Sequence, residues 1–148
     1  MKKILAVASG GGHWKELMLL KSSFEQGSVK YVTTIDGLPQ EENFSNFNIV
    51  IDANKTKKLA LIFSFFQIFM VYIKFRPDVI VTTGAASGVA AILFGKIFKA
   101  KTIWIDSIAN ADKLSLSGNL AKSMADIVLT QWEHLADGKK VLYHGAVF

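Results

Sequence analysis

The stretch that most restricts the fold is Ala8-Ser9-Gly10-Gly11-Gly12-His13-Trp14, which follows the apolar run Ile4-Leu5-Ala6-Val7 and leads into a helical pattern. It reads as strand, glycine turn, helix. Consecutive glycines let the backbone take positive φ and approach a ligand closely, while a helix beginning near His13 aims unpaired N–H groups at the same spot. Such a spot suits a phosphate or another anion. The run does not match G-x-G-x-x-G, and His13-Trp14 stands where a P-loop has Lys-Ser/Thr, which argues against ordinary dinucleotide and NTPase sites. His13 is a candidate general base or a hydrogen-bond donor to a phosphate; alternatively it only caps the helix.

The same logic returns in the middle of the chain. Asp78-Val79-Ile80-Val81-Thr82 has the unbroken apolar character of a buried parallel strand, and it ends in Thr83-Gly84-Ala85-Ala86-Ser87-Gly88, which opens a helix through Phe98. Further strands are expected at 30–35, 48–52, 101–105 and 127–130, with a short one at 140–143. Leu17, Leu20 and Phe24 mark a helix over 14–24, and Asn54 is a plausible cap for the helix after it. Strands alternating with helices imply an α/β fold, a Rossmann-like, doubly wound parallel sheet, with both glycine turns at its carboxyl edge where such proteins bind ligands. No linker or repeat divides residues 1–148, which are expected to form one domain.

Residues 59–73 carry polar groups only at Ser64, Gln67 and Tyr72, and are flanked by Lys55, Lys57 and Lys58 before and Lys74 and Arg76 after. Fifteen residues are short for a bilayer span, which needs about 20. Yet the apolar surface exceeds what one sheet face covers. Phe63, Phe65, Phe66 and Phe69, with Lys74 and Arg76 beside them, therefore suit a helix lying in a membrane interface, a helix covered by a partner, or one buried from several sides in its own domain.

Charge narrows the partners. The formal net charge is +5 and Arg76 is the only arginine. A nucleic-acid reader would use arginine forks, so a lysine-borne charge favours diffuse attraction to an anionic surface such as a membrane, with no nucleic acid. With no cysteine there are no disulfides or thiol metal sites, which is compatible with the cytoplasm. The opening Met1-Lys2-Lys3 and its short apolar strand do not have a signal peptide's layout. The three histidines lie far apart with no ligand spacing, so neither metal nor cofactor is expected.

Ser115-Leu116-Ser117-Gly118, followed by Ala125-Asp126, Gln131-Trp132 and an ending of Tyr143-His144-Gly145-Ala146-Val147-Phe148, joins the Ser9–His13 turn and Thr83-Gly84-Ala85 in a recognisable set. The chain resembles the membrane-associated subunit of two-part UDP-sugar glycosyltransferases. The eukaryotic member of that family anchors the UDP-N-acetylglucosamine transferase that makes chitobiosyl-diphospho-dolichol, and bacterial members serve exopolysaccharide and capsule assembly. The set is also similar to the acceptor half of the peptidoglycan enzyme MurG, which implies the N-terminal half of a GT-B fold. Two departures stand out. Asp106-Ser107 and Asn110 replace the family's Glu-Ser and following arginine, and no counterpart of the spanning helix with which the eukaryotic member begins is expected, so attachment is expected from surfaces such as residues 59–73.

The resemblance implies transfer of a sugar from a UDP-sugar to a lipid-diphosphate-linked saccharide at the cytoplasmic face of the plasma membrane. One domain of this kind supplies one wall of the cleft, so a donor-binding glycosyltransferase subunit is the expected partner. It would meet Gln131, Trp132, Tyr143, Val147 and Phe148, though 143–148 could equally be a final edge strand. His13 and Asp106 are the candidate bases, Asp106 being alternatively a loop carboxylate that caps the next turn. Ser9, Gly10, Gly11, Gly12, Thr83, Gly84 and Ser107 are the candidate acceptor and phosphate ligands. Two other readings stand beside this one: a non-catalytic scaffold that activates its partner, and a free-standing nucleotide-binding protein of flavodoxin-like type.

Overall fold

The computed structural model describes residues 1–53 and 57–147; the expected Asn54 cap and the partner candidate Phe148 lie outside the described residues. Seven strands form one parallel sheet: β1 (Lys3–Ala8), β2 (Ser28–Thr33), β3 (Phe47–Ile49), β4 (Val79–Gly84), β5 (Lys101–Ile105), β6 (Ile127–Thr130) and β7 (Val141–Tyr143). Their order is β3-β2-β1-β4-β5-β6-β7. The chain builds outward from β1 to β3, then crosses back to lay β4 on the other side of β1. That reversal between β1 and β4 is the switch point at which doubly wound sheets open a crevice.

Strand periodicity splits the core in two. Leu5 and Val7 point to the face covered by α3 (Lys58–Phe75), α4 (Ala85–Ile97) and α5 (Leu116–Lys122), with Ile68, Val89, Ile92 and Trp104. Ala6 and Ala8 point to the other face, where α1 (Gly12–Leu19) and the short α2 (Leu38–Glu41) lie. Their small side chains let Trp14 and Leu17 of α1 sit close to the sheet. Trp14 meets Tyr31 and Phe44 edge-on, and those two rings stack at 3.9 Å.

The helix expected over 14–24 is interrupted. α1 ends at Leu19 and a separate 3-10 turn, Lys21–Phe24, brings Phe24 into the core. A period of 3.6 predicts the burial of Leu17 and Phe24 without registering the change of axis between them.

α3 runs on to Phe75, and Arg76 in the left-handed region (φ 51°) closes it before Pro77. Its buried face is Ser64, Ile68, Val71, Tyr72 and Phe75. Ser64, one of the three polar residues of 59–73, lies on this buried face and is 1% exposed. The opposite face leaves Leu59, Ile62, Phe63, Phe66, Met70 and Ile73 exposed.

Candidate functional site

The two strand–turn–helix units meet at the switch point. Pairing of β1 with β4 runs Val7 with Thr82 and then Ala8 with Gly84, so Thr83 is bulged out of the ladder. Its carbonyl is turned to His13, whose Nδ1 donates to it at 2.9 Å, and its hydroxyl donates to the His13 carbonyl at 2.6 Å. Thr83, expected as an acceptor ligand, is fully buried and clasps His13 with both groups. Because a carbonyl only accepts, Nδ1 carries a proton, and in a neutral ring that leaves the lone pair on Nε2. Nε2 has no hydrogen-bond partner among the described residues. This is the arrangement a general base requires.

Each glycine here has a different reason. Gly11 has φ 81° and Gly84 φ 138°, both in a region that favours glycine. A Cβ at Gly10 would stand 2.1 Å from Ile35 Cδ1, so its side is filled by packing. At Gly11 and Gly12 a Cβ would meet nothing within 4 Å; both residues are exposed and α1 has no side-chain cap. The backbone N–H groups expected of Gly10 and Gly84 are already committed, to Thr34 Oγ1 at 2.9 Å and Thr82 Oγ1 at 3.2 Å. What stays open is the first turn of α1, over Gly11 and Gly12, directly before His13 in the chain. Ser9, expected as a ligand, is buried. At the start of α4, directly after Gly84, Ala85 holds φ 73°, a strained value of the kind that collects at functional sites.

On the β5 and β6 side the polar residues bind one another. Asp106 is 2% exposed. Its Oδ1 accepts from Trp104 Nε1 at 3.0 Å and Ser115 Oγ at 2.7 Å, and its Oδ2 from Ser115 N at 3.0 Å. Ser115 in turn caps α5 by accepting from Gly118 N at 2.8 Å. Three donors and near-complete burial make Asp106 a bracket for α5, with both carboxylate oxygens engaged inside the domain. Ser107 is likewise occupied: its hydroxyl donates to Glu16 Oε1 at 3.1 Å and accepts from Ala109 N at 3.2 Å.

The expected partner residues divide. Gln131 is buried and donates to the Asp106 carbonyl at 3.1 Å, and Trp132 Nε1 donates to the Ile108 carbonyl at 2.7 Å. Both are internal braces, because a strand end at the carboxyl edge must satisfy the loops crossing it. Tyr143 is exposed at the end of the edge strand β7. Beyond it the tail turns back, and Val147 N donates to Gln131 Oε1 at 3.0 Å. Residues 144–147, with Leu19, Leu20, Ile105 and Leu129, border a cavity of about 300 Å³.

The α3 residues divide too. Phe63 and Phe66 are 53% and 58% exposed, and Lys74 and Arg76 are exposed at the helix end. Phe65 and Phe69 are not free for a membrane. Phe65 packs on Phe94 of α4, and Phe69 on Phe94 and Phe98. At 100° per residue, 65 and 69 fall on the flank toward α4 while 63, 66 and 70 face away.

The residue that sequence reasoning missed is Glu16. It is 2% exposed, and its Oε1 accepts from Ile108 N at 2.9 Å as well as from Ser107. The available signal was a carboxylate one turn before Leu20, beside the apolar stripe of Leu17, Leu20 and Phe24.

Comparison with known proteins gives a consistent result. Residues 48–147 match the family model described as "Oligosaccharide biosynthesis protein Alg14 like". The chain is 38% identical over 162 residues to the UDP-N-acetylglucosamine transferase subunit ALG14 of Candida albicans, covering 91% of this chain and 73% of that protein. To the Mus musculus protein of the same name it is 23% identical over 179 residues, covering 98% and 82%. Among solved structures, Acinetobacter baumannii MurG superposes with a TM-score of 0.81 at 11% identity, over 99% of this chain and 46% of that one. UDP-N-acetylglucosamine 2-epimerase from Rickettsia bellii does so at 0.76 and 14%, over 99% and 45%. At such identities the likeness is one of fold, and the chain spans about half the length of each.

Proposed function

Because the chain belongs to the Alg14-like family of oligosaccharide biosynthesis proteins, we propose that it is the acceptor-side subunit of a two-part glycosyltransferase. The reaction is transfer of a sugar from a UDP-sugar to a hydroxyl of a lipid-diphosphate-linked saccharide, of the kind used in bacterial exopolysaccharide or capsule assembly. The observation that carries this reading is His13. Its Nδ1 is pinned by Thr83, so that Nε2 is the acceptor nitrogen, on the residue that directly follows the two open glycines.

In this reading Nε2 takes the proton of the attacking acceptor hydroxyl, and the bare N–H groups at the start of α1 hold a diphosphate oxygen. Residues 1–148 act as one domain and supply one wall of the cleft. A separate donor-binding subunit supplies the other, docking along the carboxyl edge at Tyr143 and the tail. The exposed stripe on α3, with Lys57, Lys58, Lys74 and Arg76 at its ends, rests on the cytoplasmic face of the membrane.

The test is transfer by the chain copurified with its donor-binding subunit, using a UDP-sugar labelled in the sugar and lipid-linked acceptors from membranes. His13→Ala is expected to lower turnover by at least ~100-fold while the pair still assembles and melts normally. Unchanged turnover would place all the chemistry in the partner and leave this chain a scaffold. Turnover by the isolated chain would overturn the two-part reading.

A further inference from the structure

We propose that Glu16 is a positioning residue that ties the C-terminal tail to the helix carrying His13. Glu16 and His13 stand three residues apart on α1, so whatever fixes one side chain of this short helix fixes the frame of the other. Glu16 Oε1 alone receives Ser107 Oγ at 3.1 Å, Ile108 N at 2.9 Å and Gln131 Nε2 at 3.4 Å. Gln131 Oε1 takes the N–H of Val147 at 3.0 Å. Two side chains thus join the tail to α1, and the same carboxyl oxygen gathers the loops that follow β5 and β6.

The form of this link is informative. A buried carboxyl is costly unless its oxygens are hydrogen-bonded, yet Glu16 Oε2 has no partner among the described residues. Apolar residues would fill the same space at lower cost, but they could not hold Ser107, Ile108 and Gln131 in one register. Glu16 does not touch the open face over Gly11 and Gly12, so it acts through α1. The functional consequence rests on the reading that a partner subunit docks on the tail: gripping the tail then adds to the hold on the His13 turn that the chain already has by itself.

Amide hydrogen exchange on the full chain, read by NMR, tests the link without substrate or partner. Val147→Pro removes the N–H that reaches Gln131. It is expected to speed exchange about tenfold at Ile108 and at the Glu16 and Leu17 amides of α1. In Glu16→Leu the Ile108 amide is already fast, and adding Val147→Pro changes nothing further in α1. Glu16→Gln keeps an acceptor at the Oε1 position and restores the response, even though it melts lower because its amide nitrogen lacks an acceptor.

That rescue separates positioning from stability. Should Glu16→Leu fail to fold, Gln131→Leu breaks the path one link later with the same expected loss of response. An α1 response to Val147→Pro that is equal in wild type and Glu16→Leu, or absent from wild type, overturns the proposal. Capture of the donor-binding subunit is measured separately. Capture lost in Val147→Pro without any exchange response sinks the link and leaves the docking reading, and the reverse result does the opposite.

Discussion

The imidazole of His13 rests against the α-carbon of Gly84 so closely that a Cβ there would stand 2.7 Å from both Cε1 and Nδ1. The turn after β4 therefore serves His13 twice, since Thr83 holds its nitrogen and Gly84 leaves room for its ring. Gly84→Ala is expected to cost on the order of 1–3 kcal/mol and to break the bond from Nδ1 to Thr83. In a His13→Ala background only the backbone strain at φ 138° remains, so the same substitution costs less. Thermal melts of the two single variants and the double variant measure the difference. Additive losses would show that ring and glycine are independent.

Gly12 separates function from fold. It has no positive φ and a Cβ there meets nothing within 4 Å among the described residues, so neither conformation nor packing asks for glycine. Alanine is the better helix former, and Gly12→Ala should leave the melting temperature unchanged or slightly raised. If an acceptor phosphate lies against this turn, the added methyl occupies its place and KM for the lipid-linked acceptor rises about tenfold or more. Unaltered acceptor kinetics would move the phosphate elsewhere.

How much of this was legible in the sequence follows from which signals are local. The unbroken apolar runs at 4–7 and 79–82 dictated buried parallel strands, and small residues after each dictated turns at the carboxyl edge. The joining of His13 to Thr83 was not legible, because it depends on a bulge between strands that are 70 residues apart in the chain. Asp106 and Ser107 carry the residue types of a site, and only the tertiary structure reveals that Ser115 and Glu16 already use them. For the same reason the free N–H groups narrowed from two turns to one. Composition correctly flagged 59–73 as over-apolar, but which phenylalanines face outward depends on α4, whose position the period of α3 alone does not specify.

Phe63 and Phe66 should therefore behave unlike Phe65. Phe63→Glu with Phe66→Glu places carboxylates on an exposed apolar stripe between lysines, and is expected to shift the chain from liposomes containing anionic lipid into the soluble fraction with its melting temperature intact. Phe65→Glu loses the contact with Phe94 and should destabilise by roughly 1–3 kcal/mol. Flotation paired with thermal melts distinguishes them. Retention of the double variant on liposomes would leave the stripe as a surface for a protein partner.

The turn into β7 is held by a carboxylate whose protonation can be followed. Asp137 Oδ1 accepts from the backbone N–H groups of Lys139, Lys140 and Val141, each at 2.9 Å, and so shapes the turn into β7. The N–H groups of Lys139 and Val141 hold its pKa below the ordinary 3.8 against partial desolvation, with Lys140 N–H and the Lys122 charge adding to them. A carboxylate with a depressed folded pKa contributes its stabilisation in full above its unfolded value and loses it as pH falls through the folded one. Protection of the β7 amides should accordingly be level above pH 3.8 and decline only below it, with a midpoint under that value. Asp137→Ala should show weak protection in β7 at every pH, since a methyl side chain offers the three N–H groups no acceptor. Amide exchange at Val141 and Leu142 across an acid series reads both, and a decline that begins well above pH 3.8 would mean that another group holds the turn.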